Sequence, residues 1–128
     1  MIIHLTIDKP TESPNELLRM HWSKRRKLQK DYDNRVLLAI SQAGVIIEYA
    51  EEGERRGVII ERYGWSLLDP DNLTGSVKLL VDALRHTRLL WDDTAKCLDL
   101  AVVQGIDRKR PRTEIFIIYG GLNGKKKE

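Results

Sequence analysis

Apolar and polar positions alternate at the start of the chain, with Ile3, Leu5 and Ile7 set against His4 and Thr6. This period of two, carried by β-branched residues, predicts a half-buried strand over Ile2–Ile7. Pro10 and Pro14 then bracket polar residues, and a loop is expected to run on to His21. From Ser23 to Ala43 the period lengthens: Leu28, Tyr32, Val36, Ala39, Ile40 and Ala43 recur at helical spacing, marking one buried face, and Gly44 supplies a stop. The stretch 45–57 fits neither period, since VIIEY could pair as a strand whereas AEEGERRG reads as a solvated turn.

Val58–Leu68 reads as a strand, with Gly64 marking a bulge or a close backbone approach. A second helix is expected over Leu73–Arg88, where Val77, Leu80, Val81 and Leu84 form an apolar stripe and Asn72 or Thr74 offers a cap. Leu98–Ile106 and Thr113–Tyr119 follow as strands, and the short basic segment DRKRPR between them predicts an antiparallel hairpin. The order strand, helix, strand, helix, strand, strand implies an α+β fold: a single domain over 1–120 with a mixed β-sheet and two main helices packed on it. The remainder, 121–128, reads as a flexible basic tail.

Composition narrows this further. In 128 residues, 41% hydrophobic and 32% charged, there is enough apolar material for one packed core. No apolar run approaches the ~20 residues of a membrane helix, and the start lacks the pattern of a secretory leader, so no membrane partner and a cytoplasmic location are expected. The single cysteine, Cys97, forms no internal disulfide and reads as a small strand residue. Net charge is only +3, but the basic residues are clustered: Lys24, Arg25, Arg26, Lys27 and Lys30 in one block, Arg108, Lys109, Arg110 and Arg112 in another. Such clusters suit phosphate contacts and equally suit plain solvation.

The candidate chemistry lies in LDPDNL, residues 68–73. In extended backbone, Asp69 and Asp71 would leave on the same side, with Pro70 stiffening the chain between them. Two converging carboxylates invite a basic neighbour or a divalent cation, and oxygen-only ligands favour Mg²⁺, with Mn²⁺ as the substitute. Asp-Pro-Asp-Asn is also a good turn, and from the residues alone both readings stand. A third ligand has to come from elsewhere, and Asp92 and Asp93 lie beyond the second helix. Lys78 and Asp82, one turn apart with Arg85 on the same flank, read as a surface ion pair.

DPDNL, KLLVDAL at Lys78–Leu84 and LLWDD at Leu89–Asp93 form a composite that resembles the RusA family of Holliday junction resolvases, especially its phage-borne members. The resemblance implies a Mg²⁺-dependent endodeoxyribonuclease that resolves four-way DNA junctions by paired symmetric cuts in recombination and repair. It further implies a homodimer, acting in the bacterial cytoplasm as a phage or prophage product. By the family pattern Asp69, Asp71 and Asp93 act as metal ligands in cleavage, with Asp92 standing in for Asp93 if needed, and Lys78 is the required lysine. The chain departs from the pattern in the longer spacing from Asn72 to Lys78 and in TAKCL after the acidic pair.

The same resemblance directs attention to DNA contacts. Asn15, Arg19 and Trp22 lead into the basic helix, Lys24–Lys27 and Lys30 lie on it, Asn72 adjoins the acidic motif, and Arg108–Arg110 with Arg112 form the expected hairpin tip. Trp22 is either a core aromatic at the helix start or a stacking surface for an unpaired base. Leu79, opposite the main apolar stripe, is a candidate for a dimer interface. Two other functions remain open: a branched-DNA-binding accessory protein that does not cut, and a Mg²⁺-dependent nucleotide phosphohydrolase.

Overall fold

The N-terminal alternation folds as β1 (Ile2–Ile7), with Ile3, Leu5 and Ile7 buried and Ile2 and His4 exposed. The computed structural model describes residues 2–122. After β1 come α1 (Pro14–Arg19), α2 (Trp22–Ala43), β2 (Arg56–Gly64), α3 (Pro70–Ser76), α4 (Lys78–His86), β3 (Leu98–Ile106) and β4 (Arg112–Tyr119). The four strands make one mixed sheet in the order β1-β4-β2-β3, so the α+β architecture stands. β4 runs antiparallel to both β1 and β2, while β3 lies parallel to β2.

The expected hairpin does not form. β3 and β4 are separated by β2, and residues 107–111 cross its end instead of making a tight turn. Ile115–Ile118 on β4 and Val58–Ile60 on β2 are unbroken apolar runs, and such runs suit the middle of a sheet more than its edges. The two therefore pair with each other, which leaves β3 on the outside.

One face of the sheet carries the core. Ile3, Leu5, Val58, Ile60, Ile115 and Ile117 are at most 2% exposed and pack with Tyr32 and Val36 of α2 and Leu80 and Leu84 of α4. Leu79, expected at an interface, is buried within its own chain because α2 packs across α4.

The helices also begin and break where the apolar period does not show it. The segment expected to be a loop contains α1, started by a capping box in which Ser13 and Glu16 satisfy each other's backbone N–H groups, with Pro14 in the first turn. The second helix is two. α3 starts at Pro70, with Asp69 rather than Asn72 or Thr74 at the cap position, and ends at Val77 (φ −96°, ψ 5°), after which α4 begins at Lys78. Gly75 and Ser76 explain the break. Glycine is a weak helix former, Ser76 turns its hydroxyl onto Leu73 O at 2.7 Å, and a Cβ on Gly75 would meet Pro14 of α1 at 2.9 Å.

The strand expected to reach Leu68 ends at Gly64, and 45–55 is irregular. Gly64 marks a close approach: a Cβ there would stand 2.9 Å from the Arg62 guanidinium. Of the expected tail, Gly121 is buried and the Leu122 N–H donates to Asp99 Oδ2 at 3.3 Å; the rest of it, 123–128, lies outside the described residues.

Among the described residues the opposite sheet face carries no helix. There Glu114 accepts hydrogen bonds from Thr6 Oγ1 and Arg112 Nε, both at 2.6 Å, and from His4 Nε2 at 2.7 Å. Burial alone would raise the carboxyl, but these bonds outweigh it and hold Glu114 down at about 2, against an ordinary value of 4.5. A depressed carboxylate contributes stability that is full above the ordinary value and is lost as pH falls toward the folded one. Glu114→Gln is expected to lower the urea midpoint at pH 7 and to flatten its fall between pH 4.5 and 2. An unchanged acid limb in the variant would contradict this assignment.

Candidate active site

The acidic motif sits where β2 hands over to α3, and the segment that delivers it is tied down from three sides. Gln104 of β3 brackets Leu68, accepting its N–H at 2.9 Å and donating to its C=O at 2.7 Å. Arg62, buried, donates to Ser66 O at 3.3 Å and to Thr11 O at 2.9 Å. Arg108 donates to Trp65 O at 3.1 Å. The backbone entering Asp69 is thus held by one nearby side chain, Arg62, and by two remote in sequence, Gln104 and Arg108.

Asp69 occupies the N-cap position of α3 yet makes no side-chain cap bond, and its carboxylate is exposed. Aspartate at this position usually accepts a backbone N–H, so Asp69 forgoes a common stabilisation of up to ~1 kcal/mol. Asp71 lies in the first helical turn, also exposed, and the two therefore do not share an extended strand as the sequence suggested. Both lie at the positive end of the helix dipole, which eases their mutual repulsion. Asn72 beside them is half-buried.

The chain does double back after α4. Arg88 adopts the left-handed conformation (φ 68°) usually reserved for glycine, and the N–H groups of Leu89 and Leu90 both return to Leu84 O. The nine residues of α4 span ~13 Å. Beyond it the chain comes back alongside the helix, for Asp93 Oδ2 stands 3.7 Å from Nζ of Lys78, whose side chain reaches one turn down α4. Lys78 also reaches Asp82 Oδ1 at 3.3 Å, and Arg85 meets the same oxygen at 3.4 Å. Asp92 is committed locally, accepting the Asp93 N–H at 2.8 Å, whereas Asp93 faces Lys78.

Lys78 and Asp93 are therefore brought together alongside α4. Among the described residues no group of three or more His, Cys, Asp or Glu side chains stands close enough to hold a metal ion, so Asp69 and Asp71 are not gathered with Asp93 into one ligand set. Asp69, Asp71 and Asp93 supply hard oxygen donors only, a set that fits Mg²⁺ or Mn²⁺ in kind.

No protein-family model matches the chain, and no curated protein does either. Its chemistry has to be read from its own residues.

The basic residues divide into free and engaged. Asn15 and Arg19 are exposed on α1; Trp22, Lys24, Arg25, Arg26, Lys27 and Lys30 are exposed on the first turns of α2. Trp22, at 61% exposure, is no core aromatic. Lys109 and Arg110 are exposed on the 107–111 crossing, as is Arg108. Arg112 differs: it opens β4, lies over the Tyr63 ring at 4.3 Å, and pairs with Asp107 at 2.8 Å and Glu114 at 2.6 Å.

Asp82, 15% exposed, pairs with Lys78 and Arg85 as their i,i+4 and i,i+3 spacing predicted. Two contributors escaped the sequence reading. Gln104 acts through a residue far away in the chain and leaves no local signal. The α1 cap was legible as Ser13-Pro14-Asn15-Glu16.

Proposed function

We propose that the chain is a Mg²⁺-dependent endodeoxyribonuclease of RusA type, cutting four-way DNA junctions by phosphodiester hydrolysis. The observation that carries this reading is the return of Asp93 to Lys78, with Asp69 and Asp71 exposed at the start of the preceding helix. Asp69, Asp71 and Asp93 would hold the metal, which when bound supplies Lewis-acid stabilisation of phosphoryl charge and an activated water. Magnesium keeps several waters and draws remaining contacts from substrate phosphate, so the protein need not supply a closed cage. Lys78, exposed and steered by Asp82, adds positive charge where negative charge develops on the scissile phosphate. Incubation with a synthetic junction, with and without Mg²⁺, tests the proposal directly.

Gln104 acts as a positioning residue in this scheme. Gln104→Ala is expected to slow cleavage ~10-fold or more with junction affinity unchanged, because small misplacements of reacting groups are costly. A loss confined to affinity, or none, would remove Gln104 from the site.

A homodimer supplies the two sites that paired cuts need. The helix-free sheet face supports this part of the proposal: it presents Ile2 (60% exposed) and Val103 (48% exposed) around half-buried Ile59, Phe116 and Ile118. Val103→Glu is expected to halve the mass in sedimentation and to turn paired cuts into single nicks. A dimer that survives the substitution would place the interface elsewhere.

The second reading, a branched-DNA binder that does not cut, draws support from Asp93 being paired with Lys78 instead of standing free. It predicts a shifted junction band without product. The third, a nucleotide phosphohydrolase, predicts hydrolysis of free nucleotides and indifference to branched DNA.

A further inference from the structure

We infer that a shallow groove at the start of α2 is a stacking site for one unpaired nucleobase of a DNA strand, with Trp22 as platform and Arg26, Lys27 and Lys30 as flanking phosphate contacts. This rests on the DNA-acting reading above but not on cleavage. The groove measures about 400 Å³ and is lined by Trp22, Ser23, Arg26, Lys27, Gln29 and Lys30. That size lies within the ~300–1,000 Å³ of small-ligand sites. Its lining combines one large aromatic face with cationic side chains and no carboxylate. An occupant that complements both features is aromatic and anionic, as a nucleotide is.

Trp22 is held ready for this. The His21 Nδ1 accepts the Ser23 N–H at 3.2 Å, and His21 O accepts from Lys24 and Arg25, so the first turn is capped and fixed around the indole. The Arg26 guanidinium lies 5.2 Å from the indole centroid, and guanidinium planes stack on bases as aromatic rings do. An indole left 61% exposed on a capped helix forgoes burial that aromatic side chains usually obtain.

Position selects DNA over other aromatic anions. Gln29, which lines the groove, donates to Leu79 O at 2.9 Å, beside Lys78. One wall of the groove is therefore tied to the first turn of α4, the helix that Lys78 opens. Within a duplex both faces of a base are covered by its neighbours, so a stacking platform selects strands whose pairing is interrupted.

The test uses the full chain in EDTA, so that no strand is cut, with labelled DNA probes: a duplex bearing a short single-stranded gap and its fully paired counterpart. Trp22→Ala is expected to weaken binding to the gapped probe roughly 10- to 100-fold and to the paired duplex less than about 3-fold, with Trp22→Phe retaining most affinity. Unchanged melting of Trp22→Ala shows that the fold is intact, as expected for an exposed residue. Equal losses on the two probes, no loss on the gapped one, or preference for an aromatic acidic peptide over gapped DNA would overturn the stacking site. A wild-type chain that binds neither probe would overturn the DNA reading as well, whereas failure of cleavage alone leaves this result standing.

Discussion

Asp71→Asn is expected to reduce Mg²⁺-dependent junction cleavage at least ~1,000-fold while leaving junction binding intact or stronger. Loss of a metal-holding carboxylate removes several kcal/mol of charge stabilisation, and each 1.36 kcal/mol is a factor of ten in rate. Binding persists because the deleted charge repels phosphate, and the fold persists because Asp71 is exposed in the first turn of α3. Asp69→Asn and Asp93→Asn share the expectation. Asp92→Asn does not, since its carboxylate already accepts the Asp93 N–H and its amide oxygen can replace that bond. Gel analysis of cleavage beside a mobility shift separates the two effects, and wild-type cleavage by Asp71→Asn would remove it from the site.

The largest stability loss is expected at a residue with no part in the chemistry. Arg56 is 1% exposed at the start of β2. Its guanidinium donates to Glu54 at 2.8 Å, to Leu89 O at 3.1 Å and to Glu48 O at 2.8 Å, and it lies 4.3 Å from the Tyr119 ring centroid. One cation thus closes the irregular 45–55 segment, the reversal after α4 and the end of β4. Arg56→Met keeps the aliphatic stem but strands two carbonyls and a carboxylate, at a cost of about 3 kcal/mol. For a domain of this size that lowers the melting temperature by roughly 10 °C. Glu54 is only partly buried and recovers some hydration, which is why the low end of the buried-pair range applies. A shift under about 2 °C would show that the stem alone matters. Faster hydrogen exchange at Ala50, whose N–H donates to Arg88 O, would locate the loosening.

What the chain discloses depends on whether the governing interaction is local. The alternation in β1, the helical period of α2 and its Gly44 stop, and the positions of β3 and β4 were legible because each depends on neighbours in sequence. Strand partners were not: the antiparallel hairpin fails because β2 takes the place beside β4, a competition that local patterns do not express. The break at Val77 was hidden because Val77 and Leu80 keep helical spacing across it. Gly75 and Ser76 were its only marks.

The site divides in the same way. Asp69, Asp71, Lys78 and Asp93 were named from motif and resemblance, but the return of Asp93 to Lys78 passes through Arg88, a non-glycine residue in a glycine conformation. The Gln104 clamp on Leu68 lies beyond any local reading. The basic block of α2 was legible as charge, while its groove beside Trp22 emerged only from the folded helix.

The most direct measurement is strand mapping on a synthetic four-way junction labelled in turn on each arm, with Mg²⁺ and with EDTA. Symmetric paired cuts in two opposed strands, present with Mg²⁺ and absent with EDTA, are the expected result. A junction bound by the chain but left whole in Mg²⁺, or cut equally in EDTA, would contradict the assignment of Asp69, Asp71, Asp93 and Lys78 to a metal-dependent nuclease site.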